Sequence, residues 1–262
     1  MHRIHLETCT HHIYTDSTIK LVRQLHRRMN PILQDIVRDE LQKLLKVNFI
    51  YPISDSQWVS PLVVVPKKSG KWRICVAYKQ LSKETLKDYF PLPFIDQVLD
   101  TLAGKSSFSF LDGFIGYNQI RTTLEDQDKT TFTCPWGTHS CNVFPFGLCN
   151  SPTTFQRVVL VIFSDLVHDC VEVYMDDFSV YGNSFQHALE NLEFFLKRCI
   201  EANLSLSNEK CFMMLNEGIV LGHYISSQGI IFYPSKIQII VNFLKEVRIF
   251  LGYVSYYRRF IE

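Results

Sequence analysis

The run VEVYMDDFSVYG, Val171 to Gly182, sets two adjacent aspartates inside a strongly β-prone segment. Extended backbone sends Val171, Val173 and Met175 to one side and Glu172, Tyr174 and Asp176 to the other. Adjacent carboxylates repel each other and gain nothing from burial. Asp176 and Asp177 therefore belong at the turn of a hairpin. Water at an exposed turn is one resolution, because Asp favours turns. A divalent cation is the sharper one: Mg²⁺ is hard, prefers oxygen ligands, and keeps water and substrate phosphate in its shell.

A pair of such ions needs acidic groups from more than one chain position. Asp112 ends another apolar, alternating run, SFSFLD, just before a turn. If that strand pairs beside the hairpin of 171–181, Asp112 and Asp176 meet at one edge of a sheet. Two metals about 3.5–4 Å apart could then activate a 3′-hydroxyl and stabilise a leaving pyrophosphate.

The surrounding pattern is mixed. Asn30-Pro31 opens a helix with apolar residues at Leu33, Ile36, Val37, Leu41, Leu44 and Leu45, the spacing of one helical face. SPLVVVPKKSGKWRICVAY reads as a hairpin around a Ser-Gly turn. PFIDQVLDTLAG is a short helix stopped at Gly104. IRTTL, TTFTC and THSCNVF read as strands. Ser151-Pro152 provides the N-cap and first turn of TTFQRVVLVIFSDLV, and Ser184 caps a second amphipathic helix. LSLS and GIVLGHYIS read as strands, and the tail from Lys236 as helical. The order implies an α+β sheet with helices packed on one face.

A chain of 262 residues, 47 % hydrophobic and only 20 % charged, can bury a substantial core and is not disordered. No apolar run reaches the ~18–20 residues that span a bilayer, and the N-terminus lacks a signal-peptide core; the expectation is a soluble, intracellular protein with no membrane partner. None of the eight cysteines forms a C-x-x-C pair, so reduced thiols are expected. Cys9, His11 and His12 fit no standard zinc spacing. A net charge of +1 makes no global case for nucleic acid, but PKKSGKWR concentrates Lys67, Lys68, Lys71 and Arg73.

Together, YPISDSQWVSPLVVVPKKSGKWRICV, FLDGFIGYNQI, FPFGLCNSPTTFQR, YMDD and VLGHYIS, in that order, resemble the reverse transcriptases of gypsy-type LTR retrotransposons, particularly plant ones. The resemblance covers roughly residues 8–260. It implies a right-hand polymerase fold in which the palm is an antiparallel sheet packed on helices. Residues 1–30 would be an N-terminal extension, 31–88 and 120–150 fingers, 89–119 and 151–230 palm, and 231–262 a partial thumb. The implied activity is RNA-directed DNA polymerisation, in which a primer 3′-hydroxyl attacks a dNTP on an RNA or DNA template. The implied partners are RNA template, DNA primer, RNA–DNA hybrid, dNTPs and other parts of a Pol polyprotein. The implied setting is a cytoplasmic virus-like particle or the nucleus.

Residue by residue, Asp112, Asp176 and Asp177 match the catalytic, metal-binding carboxylates, with the Gly113 carbonyl as a further ligand to two Mg²⁺ ions; Mn²⁺ also suits such donors. Lys67 or Lys68, with Arg73, would face the triphosphate. Tyr117 would lie under the sugar and exclude a 2′-hydroxyl. Phe146 and Gly147 would line the nucleotide site. Tyr174 and Met175 would touch the primer terminus, and Leu221, Gly222 and His223 would grip the primer strand.

The chain carries Ala77 where the family usually has Asp, Lys79 where it usually has Arg, and Ser82 where it usually has Asn. The proline-rich stretch before FLGY is also missing. These departures leave a second reading open: an inactive remnant that keeps the fold and weak nucleic-acid affinity.

Overall fold

The structure, a computed structural model, describes residues 4, 9–16, 21–66, 72–114 and 116–231. The first elements are β1 (Thr10–His11), α1 (Pro31–Lys46), β2 (Ile50–Pro52), β3 (Ser60–Pro66), β4 (Trp72–Val76), α2 (Lys79–Glu84) and α3 (Ile95–Leu102). Then come β5 (Ser107–Asp112), β6 (Arg121–Thr122), α4 (Leu124–Gln127), β7 (Phe132–Cys134), β8 (Gly137–Cys141) and α5 (Ser151–Ile162). The remainder is β9 (Val171–Tyr174), β10 (Asp177–Gly182), α6 (Phe185–Glu201), β11 (Phe212–Leu215), β12 (Glu217–Val220), β13 (His223–Ser226) and β14 (Gly229–Ile231).

Helix α1 begins where its sequence says it should. The Asn30 Oδ1 accepts from the Leu33 N–H at 2.8 Å, and Pro31 occupies the first helical position, where a missing N–H costs nothing. Val37 and Leu41 bury against Leu62, Phe132 and Cys141 of a five-stranded sheet ordered β2-β8-β7-β3-β4. Strands β3 and β4 pair antiparallel, Val63 opposite Cys75 and Val65 opposite Arg73. Lys67, Lys68 and Lys71, in the connection between these strands, lie outside the described residues.

A second sheet, ordered β11-β5-β10-β9, holds the aspartates. On one side Phe178, Val180, Val171 and Val173 join Phe155, Val159, Phe163, Leu192 and Phe195 of the α5 and α6 regions in the largest core. On the other, Phe108 and Tyr181 pack with Val98, Leu99 and Leu102 of α3 and with Val220 and Ile225. The β12–β13 hairpin comes so close that a Cβ on Gly218 would sit 2.2 Å from the Phe110 ring. Both faces of the sheet are thus covered. This explains why Glu172, on the polar side of the β9 alternation, is buried; its carboxyl lies 3.3 Å from His168 Nδ1.

Several elements differ from the sequence expectation. Ser151 is the first residue of α5 rather than its cap. Asn150 precedes it and spends its amide on the Leu86 carbonyl (2.9 Å) and the Asp88 N–H (3.1 Å). LSLS forms no strand: Leu206 makes one bridge to Gly113, and Ser205 is taken up by Gln119 and Phe114. Only Arg121 and Thr122 of IRTTL pair as a strand, because Thr123 is already the N-cap of α4. β11 was not foreseen; Phe212 and Met213 are both exposed and Met214 has φ 55°, so the segment shows no alternation. The helical reading of the tail lies outside the described residues.

Residues 9–16 lie against the core with His11 and Ile13 turned inward. Ile13 is buried, and the His11 ring stacks on Phe144 at 3.7 Å while its Nδ1 meets Thr154 Oγ1 at 3.0 Å. Asp126 anchors the same segment, accepting from the Ile13 N–H (2.9 Å), Lys129 Nζ (2.7 Å) and Thr123 Oγ1 (2.7 Å). All eight cysteines are free thiols.

Candidate active site

β5 and β10 run antiparallel with Asp112 directly opposite Asp177 and Phe110 opposite Ser179. Residues paired this way project to the same face, so Asp112 and Asp177 share the face of Phe108, Phe110 and Tyr181. The two-residue turn from Tyr174 to Asp177 places Asp176 beside them. It is tied down by the Gly113 N–H, which donates to the Asp176 carbonyl at 2.9 Å.

The three carboxylates burden one another. Asp177, solvent-accessible at the start of β10, is pushed up to about 6, by partial desolvation first and then by repulsion from Asp176 and Asp112. Asp176 is raised as well, mainly by burial and also by Asp112. Lys210 partly offsets this charge: its Nζ donates to Asp112 Oδ2 at 2.8 Å, and the ammonium is held above its usual range by that bond. Lys210 escaped the sequence reading because nothing in NEK points toward a carboxylate 98 residues away.

Tyr117 stands over this cluster. Its hydroxyl approaches Met175 Sδ at 3.9 Å, and its ring meets Phe146 at 4.7 Å and Phe155 at 5.5 Å. Burial, with Asp176 and Asp177 next, pushes the phenol up to about 12. Gly116 allows the close approach: a Cβ there would lie 3.2 Å from Phe155 and 3.3 Å from the Asp176 Cβ. Gly147, at φ 101°, lies against the Val76 carbonyl, which a Cβ would meet at 3.3 Å. Phe146 and Gly147 therefore link Tyr117 to the end of β4, the strand that carries exposed Arg73.

Leu221 and Gly222 form the two-residue turn between β12 and β13, both with positive φ (48° and 80°), the type I′ pattern. His223 is buried beneath it with Nδ1 3.2 Å from the Leu221 carbonyl. The hairpin packs on the same face as Asp112 and Asp177. The structure thus brings together Asp112, Gly113, Tyr117, Phe146, Tyr174, Met175, Asp176 and Asp177, with Gly147 next to Phe146; Arg73 stands apart, opposite Val65 on the β3–β4 hairpin. Gln156 also belongs to the cluster; it lies in the FPFGLCNSPTTFQR run but was not singled out there.

The family described as reverse transcriptase (RNA-dependent DNA polymerase) matches residues 65–253, and the chain belongs to it. Among curated proteins, it is 38 % identical over 237 residues to the retrovirus-related Pol polyprotein from transposon 412 of Drosophila melanogaster, across 86 % of this chain and 19 % of that one. It is 31 % identical over 230 residues to the transposon Tf2-3 polyprotein of Schizosaccharomyces pombe, across 86 % of this chain and 17 % of that one. The chain thus spans about a fifth of the length of these relatives.

Two solved structures of foamy viral protease-reverse transcriptase superpose on it. The one with an RNA/DNA hybrid has a TM-score of 0.83 at 22 % identity, covering 95 % of this chain and 34 % of that one. The one with double-stranded DNA has a TM-score of 0.87 at 24 % identity, covering 98 % and 45 %. The fold is that of the right-hand polymerases.

Proposed function

We propose that this chain is the polymerase domain of a retrotransposon Pol polyprotein of the gypsy type, and that it extends a DNA primer with dNTPs on an RNA or DNA template. The observation that carries the reading is the register of Asp112 opposite Asp177, with Asp176 in the adjoining turn. In this reading the β11-β5-β10-β9 sheet is the palm and the β2-β8-β7-β3-β4 sheet the fingers. The RNA/DNA hybrid and double-stranded DNA held by the foamy viral proteins support a duplex partner gripped through its backbone and shape.

The donor chemistry of the cluster fits divalent cations: three mutually repelling carboxylates whose charge one lysine only partly offsets. Among the described residues, no group of three such side chains is yet arranged to hold an ion; in this structure Lys210 engages Asp112. Asp112 and Asp176 would be the principal ligands, with Asp177 and the Gly113 carbonyl alongside. Bound Mg²⁺ or Mn²⁺ supplies activation of the 3′-hydroxyl and charge stabilisation at the leaving pyrophosphate.

The protein's own groups do the rest. Tyr117, braced by Phe146 and Phe155, presents a ring edge that excludes a 2′-hydroxyl. Arg73, with Lys67 or Lys68, draws in the triphosphate and offsets charge on the transferring group. Tyr174 and Met175 abut the primer terminus, and Leu221, Gly222 and His223 steady the primer strand. Just past β4 the Ala77 N–H donates to the Pro61 carbonyl at 3.0 Å, so the pairing of this strand with β3 continues without the carboxylate. The test is incorporation of labelled dTTP on poly(rA)·oligo(dT) with Mg²⁺. Incorporation that stops on chelation supports the reading, and none from folded chain contradicts it.

A further inference from the structure

Gln156 is fully buried on α5, among Phe155, Val158 and Val159. Its side chain does not serve its own helix. Oε1 accepts from the Met175 N–H at 2.6 Å, and Nε2 donates to the Val173 carbonyl at 3.1 Å. The two bonds grip the β9–β10 hairpin on either side of Tyr174, immediately before Asp176.

That turn is strained. Met175 has φ 56°, while Asp176 is not among the positive-φ residues. Positive φ at only the first central residue is the type II′ pattern, which ordinarily takes Gly there. A side chain held in that region costs on the order of 1–3 kcal/mol and persists only where its surroundings impose it. The contact that meets the Met175 backbone directly is the short bond from its N–H to Gln156.

We propose that Gln156 is a positioning residue: it holds Met175 in the left-handed conformation and so fixes where Asp176 stands beside Asp112. It touches no reacting atom. Its contribution to catalysis rests on the polymerase reading; its hold on the turn does not.

The test uses the full chain in four forms: parent, Gln156→Met, Met175→Gly and the double variant. Methionine keeps the shape and loses both hydrogen bonds. Glycine at 175 adopts positive φ without help. Mn²⁺ affinity is read by electron paramagnetic resonance, and kcat and KM by single-nucleotide extension. Outer-shell partners of metal ligands are worth about 10–100-fold in affinity or activity. Gln156→Met is therefore expected to weaken Mn²⁺ binding and lower kcat about tenfold or more, with KM for dNTP changed less. In the Met175→Gly background the same substitution is expected to cost under about threefold, a coupling that distant or purely packing effects do not produce.

Equal losses in both backgrounds, or parental Mn²⁺ affinity in Gln156→Met, would overturn the proposal. If Gln156→Met does not fold, hydrogen exchange of the Met175 amide in the parent decides. Strong protection supports the clamp, and exchange at the open-chain rate refutes it. A parent that binds Mn²⁺ with a protected Met175 amide but never extends a primer sinks only the polymerase reading. A parent that extends primers and ignores Gln156→Met sinks only the clamp.

Discussion

Asp112 and Asp177 stand directly opposite each other across the β5–β10 ladder. Like charges in that relation destabilise a sheet, by on the order of half a kcal/mol. Asp177→Asn is therefore expected to raise the thermal midpoint of the chain in EDTA while lowering its extension activity. The gain should shrink in high salt, which screens the pair. A lower midpoint at low salt contradicts the account.

Tyr117 touches three aromatic rings and reaches Met175 with its hydroxyl. Its proposed role is steric. Tyr117→Val is expected to lower the ratio of kcat/KM for dNTP over rNTP by about tenfold or more, the scale of discrimination that pocket shape gives. An unchanged ratio with reduced overall activity would leave Tyr117 as a packing residue only.

His11 makes stability depend on pH. Burial pushes its imidazole down to about 3, against a smaller opposing pull from Asp126. Below the ordinary histidine value of 6.5 the unfolded chain takes up a proton that the folded chain refuses. Stability from this group is thus full above that value and is lost as pH falls toward the folded one. His11→Phe should flatten the difference between denaturant midpoints measured at about pH 7.5 and about pH 5. An equally steep difference in the variant removes His11 as the cause.

Gly182 ends β10 where α6 crosses it. A Cβ there would lie 2.4 Å from the Ala188 backbone nitrogen, which cannot move without the helix. Gly182→Ala is expected to cost about 1–3 kcal/mol, as overpacking does. Urea unfolding checks this, and a cost below about half a kcal/mol would show that α6 yields.

What could be read in advance follows from where the information lies. Asp112, Asp176 and Asp177 were legible because the first ends a β-prone run and the other two interrupt one, a local conflict that demands a reason. Helices α1 and α6 were legible from their apolar spacing and their caps, Asn30 and Ser184. Gln156, Lys210 and His11 were not. Their meaning arises only when folding brings distant segments together, and a lone polar residue carries no mark of its partner. LSLS misled for the same reason: its alternation suits a strand, but Gln119 and Gly113 claim its backbone groups.

The most direct measurement is single-nucleotide primer extension on an RNA template with Mg²⁺, comparing the parent with the Asp176→Asn, Asp177→Asn double variant at matched folding. The account predicts extension by the parent and a loss of at least about a thousandfold in the variant, the scale on which removing transition-state charge stabilisation acts. Equal extension by both chains, or none by a folded parent, would contradict it.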